Sequence, residues 1–296
     1  YFCSTINRAS HMAQNKFKGL GIALITPFKA DGTIDWEALD RLVEYQLKSG
    51  ADYLCIMGTT AETPTLTPEE KRMLKQRLVD RVAGRVPLLM GCGGNCTASV
   101  VRELKEGDWS GIDGVLSVCP FYNKPSQEGL FRHFSAIAEA SPVNVVLYNV
   151  PGRTGVNMTA ETTLRLARTY DNIVAIKEAS GNISQIAHLA AIGQGVVDIY
   201  SGNDDQIVPI LALGGVGVIS VLSNVAPTQT HEICQKFFDG DVAGSRQMQL
   251  DAMDLCNALF CEVNPIPVKT ALNMMGMLGT LYRIAGTFTE SATVLK

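Results

Sequence analysis

Short apolar runs recur along the chain, and each is followed by a polar turn and then by a segment with helical periodicity. Eight such runs can be counted, at residues 22–26, 53–57, 88–91, 114–118, 143–148, 173–176, 197–201 and 216–221. Apolar residues fill these runs continuously and do not alternate with polar ones, which indicates strands that are covered on both faces. Such strands are typical of a parallel sheet flanked by helices.

The segments between the runs support the same architecture. Residues 34–49, 67–83, 126–140, 160–169 and 182–192 carry apolar residues at helical spacing. Several begin behind a capping residue, as in Thr67-Pro68-Glu69-Glu70. Eight βα units that close on each other predict an α/β protein, a (β/α)8 TIM barrel of roughly 250 residues. The alternative, an open doubly wound sheet, lacks its usual second domain.

Three segments are predicted along the chain. Residues 1–11 have neither a basic nor an apolar region, and Ser10-His11-Met12 resembles a cloning junction, so we expect a cloning or tag remnant there. Residues 12–227 are expected to form the barrel. Residues 228–296 are mostly helical in pattern and are expected to form a C-terminal helical region packed on the barrel.

Composition limits the classes of partner. The 296 residues are 46% hydrophobic and 18% charged, with a net charge of −4. Basic residues are dispersed and the aromatic residues form no stripe, so we expect no nucleic-acid partner. No apolar stretch approaches the roughly 20 residues of a membrane-spanning helix, so we expect no membrane partner.

Cysteines and histidines give little sign of a metal site. The eight cysteines are scattered, several inside apolar runs, which favours a reducing compartment, the cytoplasm. Cys92 and Cys96 have loose metal-ligand spacing, but no second pair accompanies them, and His133, His188 and His231 are isolated. We therefore expect no metal.

The run at residues 173–176 leads directly into Lys177. At the rim of an apolar pocket, a lysine loses hydration of its ammonium form, so its pKa is expected to fall and a nucleophilic amine becomes available for Schiff-base formation. Taken alone, Lys177 is better explained as the ion-pair partner of Glu178 or of a neighbouring acid. The residues at the other strand ends favour catalysis.

In a barrel of this kind the chemistry lies at the C-terminal ends of the strands. Tyr148 ends the fifth run and Lys177 follows the sixth, so the phenol is expected to reach the amine and to shuttle protons. Thr59 and Thr60 follow the second run, where hydroxyls and backbone N–H groups at a helix start can hold a small carboxylate. Each could be an ordinary rim, turn or cap residue, but their convergence favours one pocket.

Four separated motifs carry a family resemblance. They are Gly58-Thr59-Thr60-Ala61-Glu62, Tyr148-Asn149-Val150-Pro151-Gly152-Arg153-Thr154-Gly155, Ile176-Lys177-Glu178-Ala179 and Asn264-Pro265-Ile266-Pro267-Val268-Lys269. Together, over about residues 17–281, they resemble the pyruvate-dependent class I aldolase family that includes dihydrodipicolinate synthase and N-acetylneuraminate lyase. The resemblance implies a Schiff base between pyruvate and Lys177, and it implies no cofactor.

The resemblance also implies roles for the other strand-end residues. Tyr148 and Thr59 would relay protons, and Thr60 would hold the pyruvate carboxylate. Gly202 and Ile219 match positions that shape the pyruvate pocket by backbone contact.

Tyr122 matches the tyrosine that family members insert into the proton relay of the neighbouring subunit. The resemblance therefore implies a homo-oligomer in which a tight dimer completes each active site. A tetramer built from two such dimers is expected.

Arg153 separates branches of the family. A guanidinium at the pocket mouth presents a planar fork to a carboxylate, which an amino-acid semialdehyde carries. An arginine at this position is similar to the synthase branch of the family. The resemblance therefore implies the reaction of that branch, which joins pyruvate to L-aspartate 4-semialdehyde. Its product, 4-hydroxy-tetrahydrodipicolinate, is a precursor of lysine and diaminopimelate. Two alternatives stay open: another pyruvate aldolase, acting on sialic acid or a keto-deoxy sugar acid, and a non-catalytic barrel that serves as a binding protein.

One departure from the family concerns feedback inhibition. Many synthases of the family bind lysine at the dimer interface through a glutamate, a tyrosine and histidines. The corresponding positions here hold Ser99, Phe121, Pro68 and Lys71, while Asn95 is retained. We therefore expect only the remnant of an allosteric site.

Overall fold

The predicted barrel is confirmed by a computed structural model that describes residues 15–279 and 282–283. Eight strands close into a barrel in chain order. Every strand pair with a described register is parallel. The strands are β1 (Gly19–Ala23), β2 (Tyr53–Ile56), β3 (Leu88–Gly91), β4 (Gly114–Val118), β5 (Asn144–Asn149), β6 (Ile173–Glu178), β7 (Asp198–Ser201) and β8 (Gly217–Ser220).

Helices follow the strands. They are α1 (Trp36–Lys48), α2 (Pro68–Val82), α3 (Thr97–Glu106), α4 (Gln127–Ala140), α5 (Pro151–Thr154), α6 (Ala160–Thr169), α7 (Ile183–Gly193), α8 (Ile207–Ala212), α9 (Pro227–Phe238), α10 (Val242–Asp251), α11 (Met253–Leu259) and α12 (Ile266–Met274). The predicted cloning remnant at residues 1–11 lies outside the described residues.

Three helices, α3, α5 and α8, were not predicted from the pattern, and one strand was misplaced. Helix α3 buries only Val100 and Leu104, and it begins without a side-chain cap, so the sequence gives no clear start signal for it. Helix α5 spans only four residues and helix α8 only six, too few to show a helical period. Strand β1 begins three residues before the predicted run, because the run also covers the buried chain that leaves the strand.

The first compact unit contains residues 15–18 and Leu89–Ile219. Its apolar core lies between the strands and the helices that cover them. The core includes Val115, Leu147 and Ile176 from the strands and Leu104, Phe134, Leu166 and Ile186 from the helices. The same strands carry the predicted nucleophile and its phenol partner.

The second compact unit contains Gly19–Leu88, residues 220–279 and residues 282–283. Asn224 joins its two chain segments: the side-chain Nδ2 donates to the carbonyl of Ala23 at 2.9 Å, and the backbone carbonyl accepts from Gln46 Nε2 at 3.0 Å. These bonds therefore tie the turn after β8 to β1 and α1. The predicted boundaries at residues 11 and 227 stay a prediction.

None of the helices in the described ranges is long and apolar enough to cross a lipid bilayer.

Candidate active site

Lys177 lies inside β6, one residue before the strand ends at Glu178. The sequence pattern placed it just after the strand, but residues 177 and 178 still pair with β5 and β7. The Lys177 side chain is 6% exposed, and its Nζ lies 4.6 Å from the ring centroid of Tyr148, its direct partner in β5. The structure thus brings together the amine and the phenol that the sequence predicted to be neighbours.

A bulge in β6 turns Lys177 towards Tyr148. The pairing of β5 with β6 shifts by one residue after Val145. Ile173 and Ile176 both belong to the apolar core between strands and helices. If side chains alternated strictly along β6 from Ile173 onward, Lys177 would point outward towards the helices, as Ile173 does. The extra residue reverses the alternation, so Lys177 faces the same way as Tyr148.

A pair of polar residues on the outer side of the sheet holds the two strands in this register. Glu178 is 1% exposed; its Oε1 accepts a hydrogen bond from Asn149 Nδ2 at 2.8 Å, and its Oε2 accepts one from Ser180 Oγ at 2.6 Å. Burial raises the pKa of the Glu178 carboxyl. We call this pair the Asn149–Glu178 clamp. Glu178 therefore contacts Asn149 and Ser180, and the alternative in which it pairs with Lys177 is not the observed arrangement.

Glycine is required where β7 ends beside β6. The backbone N–H of Gly202 donates to the carbonyl of Glu178 at 2.7 Å. A Cβ at residue 202 would lie 2.6 Å from the Cβ of Ala179 and 2.9 Å from that carbonyl oxygen. Ile219, at the end of β8, is completely buried. Both predicted pocket residues thus lie at strand ends.

Cys119 is a second buried residue beside β5 whose side chain could act as a nucleophile. Its backbone N–H donates to the carbonyl of Tyr148 at 3.0 Å. Burial, with a smaller contribution from Glu178, raises the pKa of the Cys119 thiol to about 12. A thiol that stays protonated at neutral pH is a poor nucleophile, so Cys119 is not a candidate for that role.

Thr59 and Thr60 lie in the second compact unit, in a short 3-10 helix that follows β2. Thr59 is exposed and Thr60 is buried. The Thr60 Oγ1 accepts a hydrogen bond from Asn264 Nδ2 at 3.0 Å, and the carbonyl of Ala61 accepts one from Thr26 Oγ1 at 2.8 Å. The predicted helix start is therefore a single fixed turn with hydroxyls at its first two positions.

Arg153 is exposed on the short helix α5, which directly follows β5. Its guanidinium forms no ion pair within the described part of the chain. Several other arginines pair with nearby carboxylates, as Arg85 does with Glu44 at 2.6 Å. Arg153 therefore keeps its donors available for an anionic ligand.

Comparison with known proteins places this arrangement in one family. The model of the dihydrodipicolinate synthetase family matches residues 16–284. The chain belongs to the dihydrodipicolinate synthetase family. The 4-hydroxy-tetrahydrodipicolinate synthase of Phocaeicola vulgatus is 51% identical over 273 residues, 92% of each chain.

Solved structures agree with this membership in the family. The crystal structure of dihydrodipicolinate synthase from Thermotoga maritima matches with a TM-score of 0.89 at 44% identity, covering 91% of this chain and 92% of that chain. The chloride-inhibited dihydrodipicolinate synthase from Acinetobacter baumannii, solved in complex with pyruvate, matches with a TM-score of 0.89 at 39% identity, covering 92% of this chain and 94% of that chain.

Tyr122, which the resemblance assigned to a neighbouring subunit, is 89% exposed. Its backbone φ is 76°, in the left-handed region that a bulky residue seldom adopts. Strained residues of this kind cluster at functional sites. Tyr122 thus extends into solvent from the loop after β4 in this single chain.

The residues predicted as an allosteric remnant lie on the loops after β3 and β4 and on helix α3. The structure brings Asn95 and Phe121 together, since Asn95 Nδ2 donates to the Phe121 carbonyl at 3.4 Å. Ser99 is exposed on α3 and its hydroxyl donates to Cys96 Sγ at 3.2 Å. Pro68 and Lys71 lie in the first turn of α2, in the other compact unit.

Sequence reasoning quoted Glu62 and Lys269 as family motif residues but assigned them no role. They form an ion pair of 2.5 Å whose side chains are both 0% exposed. Desolvation lowers the pKa of the Lys269 ammonium group to about 8, against the opposing effect of Glu62. A buried charge needs a buried partner, but two charges 207 residues apart give no local signal in the sequence.

In the described ranges, histidine, cysteine and acidic side chains form no group of three that could hold a metal ion. Cys92 is buried and Cys96 is exposed, and no disulfide joins the cysteines described there.

Proposed function

We propose that this chain condenses pyruvate with L-aspartate 4-semialdehyde to give 4-hydroxy-tetrahydrodipicolinate, in lysine and diaminopimelate biosynthesis. One observation carries the proposal: the buried amine of Lys177 lies 4.6 Å from the centroid of the Tyr148 ring, at the C-terminal ends of paired strands. The family supports the same reaction, since the curated relative with 51% identity is a 4-hydroxy-tetrahydrodipicolinate synthase.

Lys177 is the proposed nucleophile. Its neutral amine adds to the C2 carbonyl of pyruvate, and loss of water from the carbinolamine gives a Schiff base. Loss of a methyl proton then gives an enamine, whose carbon attacks the aldehyde carbon of the semialdehyde. The amino group of the adduct then attacks C2, which closes the ring of 4-hydroxy-tetrahydrodipicolinate and expels the Lys177 amine. A protonated imine lowers the energy of the carbanion-like intermediate because it accepts the electron pair.

Tyr148 and Thr59 are the proposed proton carriers. Formation of the carbinolamine, its dehydration and protonation of the alkoxide formed from the aldehyde each move a proton to or from oxygen, and a phenol beside the amine can carry that proton. Thr60, with the backbone N–H groups of the turn after β2, is proposed to bind the pyruvate carboxylate. Gly202 and Ile219 are proposed to border the bound pyruvate through their backbone.

Arg153 is the proposed binding residue for the carboxylate of the semialdehyde. Its guanidinium has no ion pair among the described residues, and a bidentate contact suits a carboxylate. A sialic acid or keto-deoxy sugar acid aldolase has no comparable need of an arginine here.

Assembly and location belong to the same proposal. We infer a homotetramer of tight dimers in which Tyr122 of one subunit completes the proton relay of the next. The exposure and the left-handed backbone of Tyr122 support this role. We also infer that the protein works in the cytoplasm, where its cysteines stay reduced.

Borohydride trapping tests the nucleophile. Incubation with pyruvate and borohydride should add a reduced pyruvate adduct to the peptide that contains Lys177, and Lys177→Ala should abolish both the adduct and turnover. Lys269 provides an internal control, because it is also a buried lysine and should stay unmodified. An adduct on another lysine, or near-normal turnover of Lys177→Ala, would contradict the proposed role.

A substrate comparison tests the reaction. The wild-type protein with pyruvate should consume L-aspartate 4-semialdehyde and leave N-acetylmannosamine unchanged. The opposite preference, with Lys177 still trapped by pyruvate, would indicate an N-acetylneuraminate lyase. Absence of trapping in a folded protein would indicate a non-catalytic barrel.

A further inference from the structure

The turn after β2 is held in place from the C-terminal part of the chain. Asn264 Nδ2 donates to Thr60 Oγ1 at 3.0 Å, so the hydroxyl oxygen is already used as an acceptor. The hydroxyl hydrogen of Thr60 is then free to point away from Asn264. This bond therefore favours Thr60 as a donor towards an anionic ligand.

Glu62 ends the same turn in a strained conformation. Its φ is 56° and its ψ is 32°, in the left-handed region that is uncommon for a residue other than glycine. Both carboxylate oxygens are bound: Oε1 by Lys269 Nζ at 2.5 Å and Oε2 by the backbone N–H of Arg283 at 2.7 Å. The backbone N–H of Glu62 donates to the carbonyl of Thr59 at 3.1 Å. Fixing the carboxylate therefore fixes the turn.

The ammonium group of Lys269 is in turn held rigidly. The side chain is fully buried in α12, and Nζ lies 4.1 Å from the ring centroid of Phe28. Arg283 lies over the same ring, with its Cζ 4.3 Å from the centroid, and its guanidinium donates to both oxygens of Glu70. A buried ion pair seldom adds stability compared with apolar residues of the same volume. Stability alone therefore does not account for two charges at this point.

We propose that Glu62 and Lys269 are positioning residues for substrate carboxylate binding, because their ion pair fixes the turn that presents the hydroxyl and N–H donors of Thr59 and Thr60. The inference rests on the proposed function, in which this turn binds the carboxylate of pyruvate. Neither residue touches the substrate in this proposal. Their removal should weaken pyruvate binding and leave the chemistry at saturating pyruvate largely intact.

The test uses a double substitution that keeps the interior neutral. Lys269→Met alone leaves the Glu62 carboxylate buried without its ammonium partner, which threatens folding. The double variant Glu62→Gln/Lys269→Met removes both charges at nearly constant volume and should fold with a melting temperature close to that of the wild type. The measured quantity is the pyruvate concentration that gives half-maximal borohydride trapping of Lys177, together with kcat and KM.

We expect the half-saturating pyruvate concentration to rise roughly 10-fold in the double variant, with kcat reduced less than about 3-fold. Leu272→Ala is the matched control, because Leu272 is completely buried in the same helix α12 and removal of its side chain leaves a cavity there. Leu272→Ala should lower the melting temperature and leave the half-saturating pyruvate concentration unchanged.

Two outcomes overturn the inference in distinguishable ways. Unchanged half-saturation in a folded double variant, with normal wild-type trapping, removes the positioning role and leaves the proposed function standing. If borohydride traps no pyruvate adduct on the wild-type protein, the proposed function is overturned. The inference then fails as well, because it names pyruvate as the ligand of the turn. If Leu272→Ala raises the half-saturating pyruvate concentration as much as the double variant does, the ion pair contributes only to the stability of α12 and has no positioning role.

Discussion

At the scale of single residues, Tyr148 carries a hydroxyl for which no hydrogen bond is found among the described residues. Its ring packs beside Lys177, so the packing of the ring can be tested separately from the chemistry of the hydroxyl. Tyr148→Phe keeps the packing of the ring and removes the hydroxyl that is proposed to carry protons. We expect kcat/KM to fall roughly 100-fold or more, with little change in melting temperature.

Tyr170→Phe is the control for this prediction. It also deletes one phenolic hydroxyl, which donates to Glu139 Oε1 at 2.8 Å at the end of α6. Its activity should match that of the wild type. Unfolding of Tyr148→Phe with unchanged activity per folded molecule would make the role of the Tyr148 hydroxyl structural.

Arg153 is the residue proposed to bind the carboxylate of the second substrate. Arg153→Ala should raise the KM for the semialdehyde about 10- to 100-fold, the loss of a charge-assisted contact worth about 1.4 to 2.8 kcal/mol, and should leave the KM for pyruvate within a factor of about 3. Steady-state kinetics with each substrate varied in turn measures both constants. Arg168→Ala, an exposed arginine on α6, should change neither. Equal increases in both constants would contradict the assignment.

At the scale of the elements, the Asn149–Glu178 clamp and the bulge in β6 accompany the pairing of β5 with β6 that places Lys177 beside Tyr148. The clamp contains a carboxyl whose pKa is raised by burial, so the folded state binds a proton more tightly than the unfolded state does. The free energy of unfolding should therefore fall as the pH rises from about 4.5, the ordinary value for a glutamate, through the raised pKa of Glu178.

Glu178→Gln removes this pH dependence. A glutamine can accept from Asn149 and donate to Ser180, so the two contacts survive without a titrating group. We expect the stability of the variant relative to the wild type, measured by urea unfolding between about pH 4 and 8, to increase with pH. The exposed Glu106→Gln should show no such increase. A pH-independent difference for Glu178→Gln would mean that the pKa of Glu178 is the same in the folded and unfolded states, which contradicts the prediction.

At the scale of the whole molecule, a shared active site has a direct test in subunit mixing. Tyr122→Phe and Lys177→Ala should each be inactive, yet a hybrid dimer contains one site with both groups intact. After subunit exchange, activity should recover to roughly a quarter of the wild-type value, because half of the random dimers are hybrids and each has one complete site.

A second mixture controls for this recovery. Tyr148→Phe and Lys177→Ala affect the same site of one chain, so their hybrids contain no complete site and should stay inactive. No recovery with Tyr122→Phe after verified exchange would mean that each site is complete within one chain.

Regulation by lysine is the second prediction at this scale. At the allosteric site that the family resemblance implies, Ser99 would supply no anion for the ammonium of a lysine ligand, Phe121 would supply no hydroxyl, and Lys71 would repel the ligand's positive charges. The coupling of about 1 to 3 kcal/mol that is typical of allosteric effectors should therefore be largely lost. A dose-response curve with L-lysine should show no half-inhibition below about 1 mM, an affinity of about 4 kcal/mol.

Variants that return the missing groups provide the comparison. Ser99→Glu/Phe121→Tyr supplies a carboxylate and a phenol, and it should bind lysine more tightly than the wild type does. Half-inhibition of the wild type below 1 mM would show that other residues form an effector site.

The sequence by itself determined the barrel and the chemical groups at its strand ends. Runs that are apolar on both faces have few stable arrangements besides a covered parallel sheet, so eight of them were enough to predict the fold. The family motifs pointed to Lys177, Tyr148, Thr59 and Thr60 because these groups occur at fixed distances from the runs. The family itself is confirmed, and the roles of the individual residues stay predictions until they are tested.

Only the tertiary structure decided which way the groups face and what holds them. The run Ile173-Val174-Ala175-Ile176 is apolar throughout, so it contains no alternation from which a bulge could be read, yet that bulge turns Lys177 towards Tyr148. The ion pair of Glu62 with Lys269 joins residues that are distant in the chain, and each charge is tolerated only because folding brings the other to it. Local patterns determine elements, whereas register and buried charge pairs depend on contacts that form only when the elements pack.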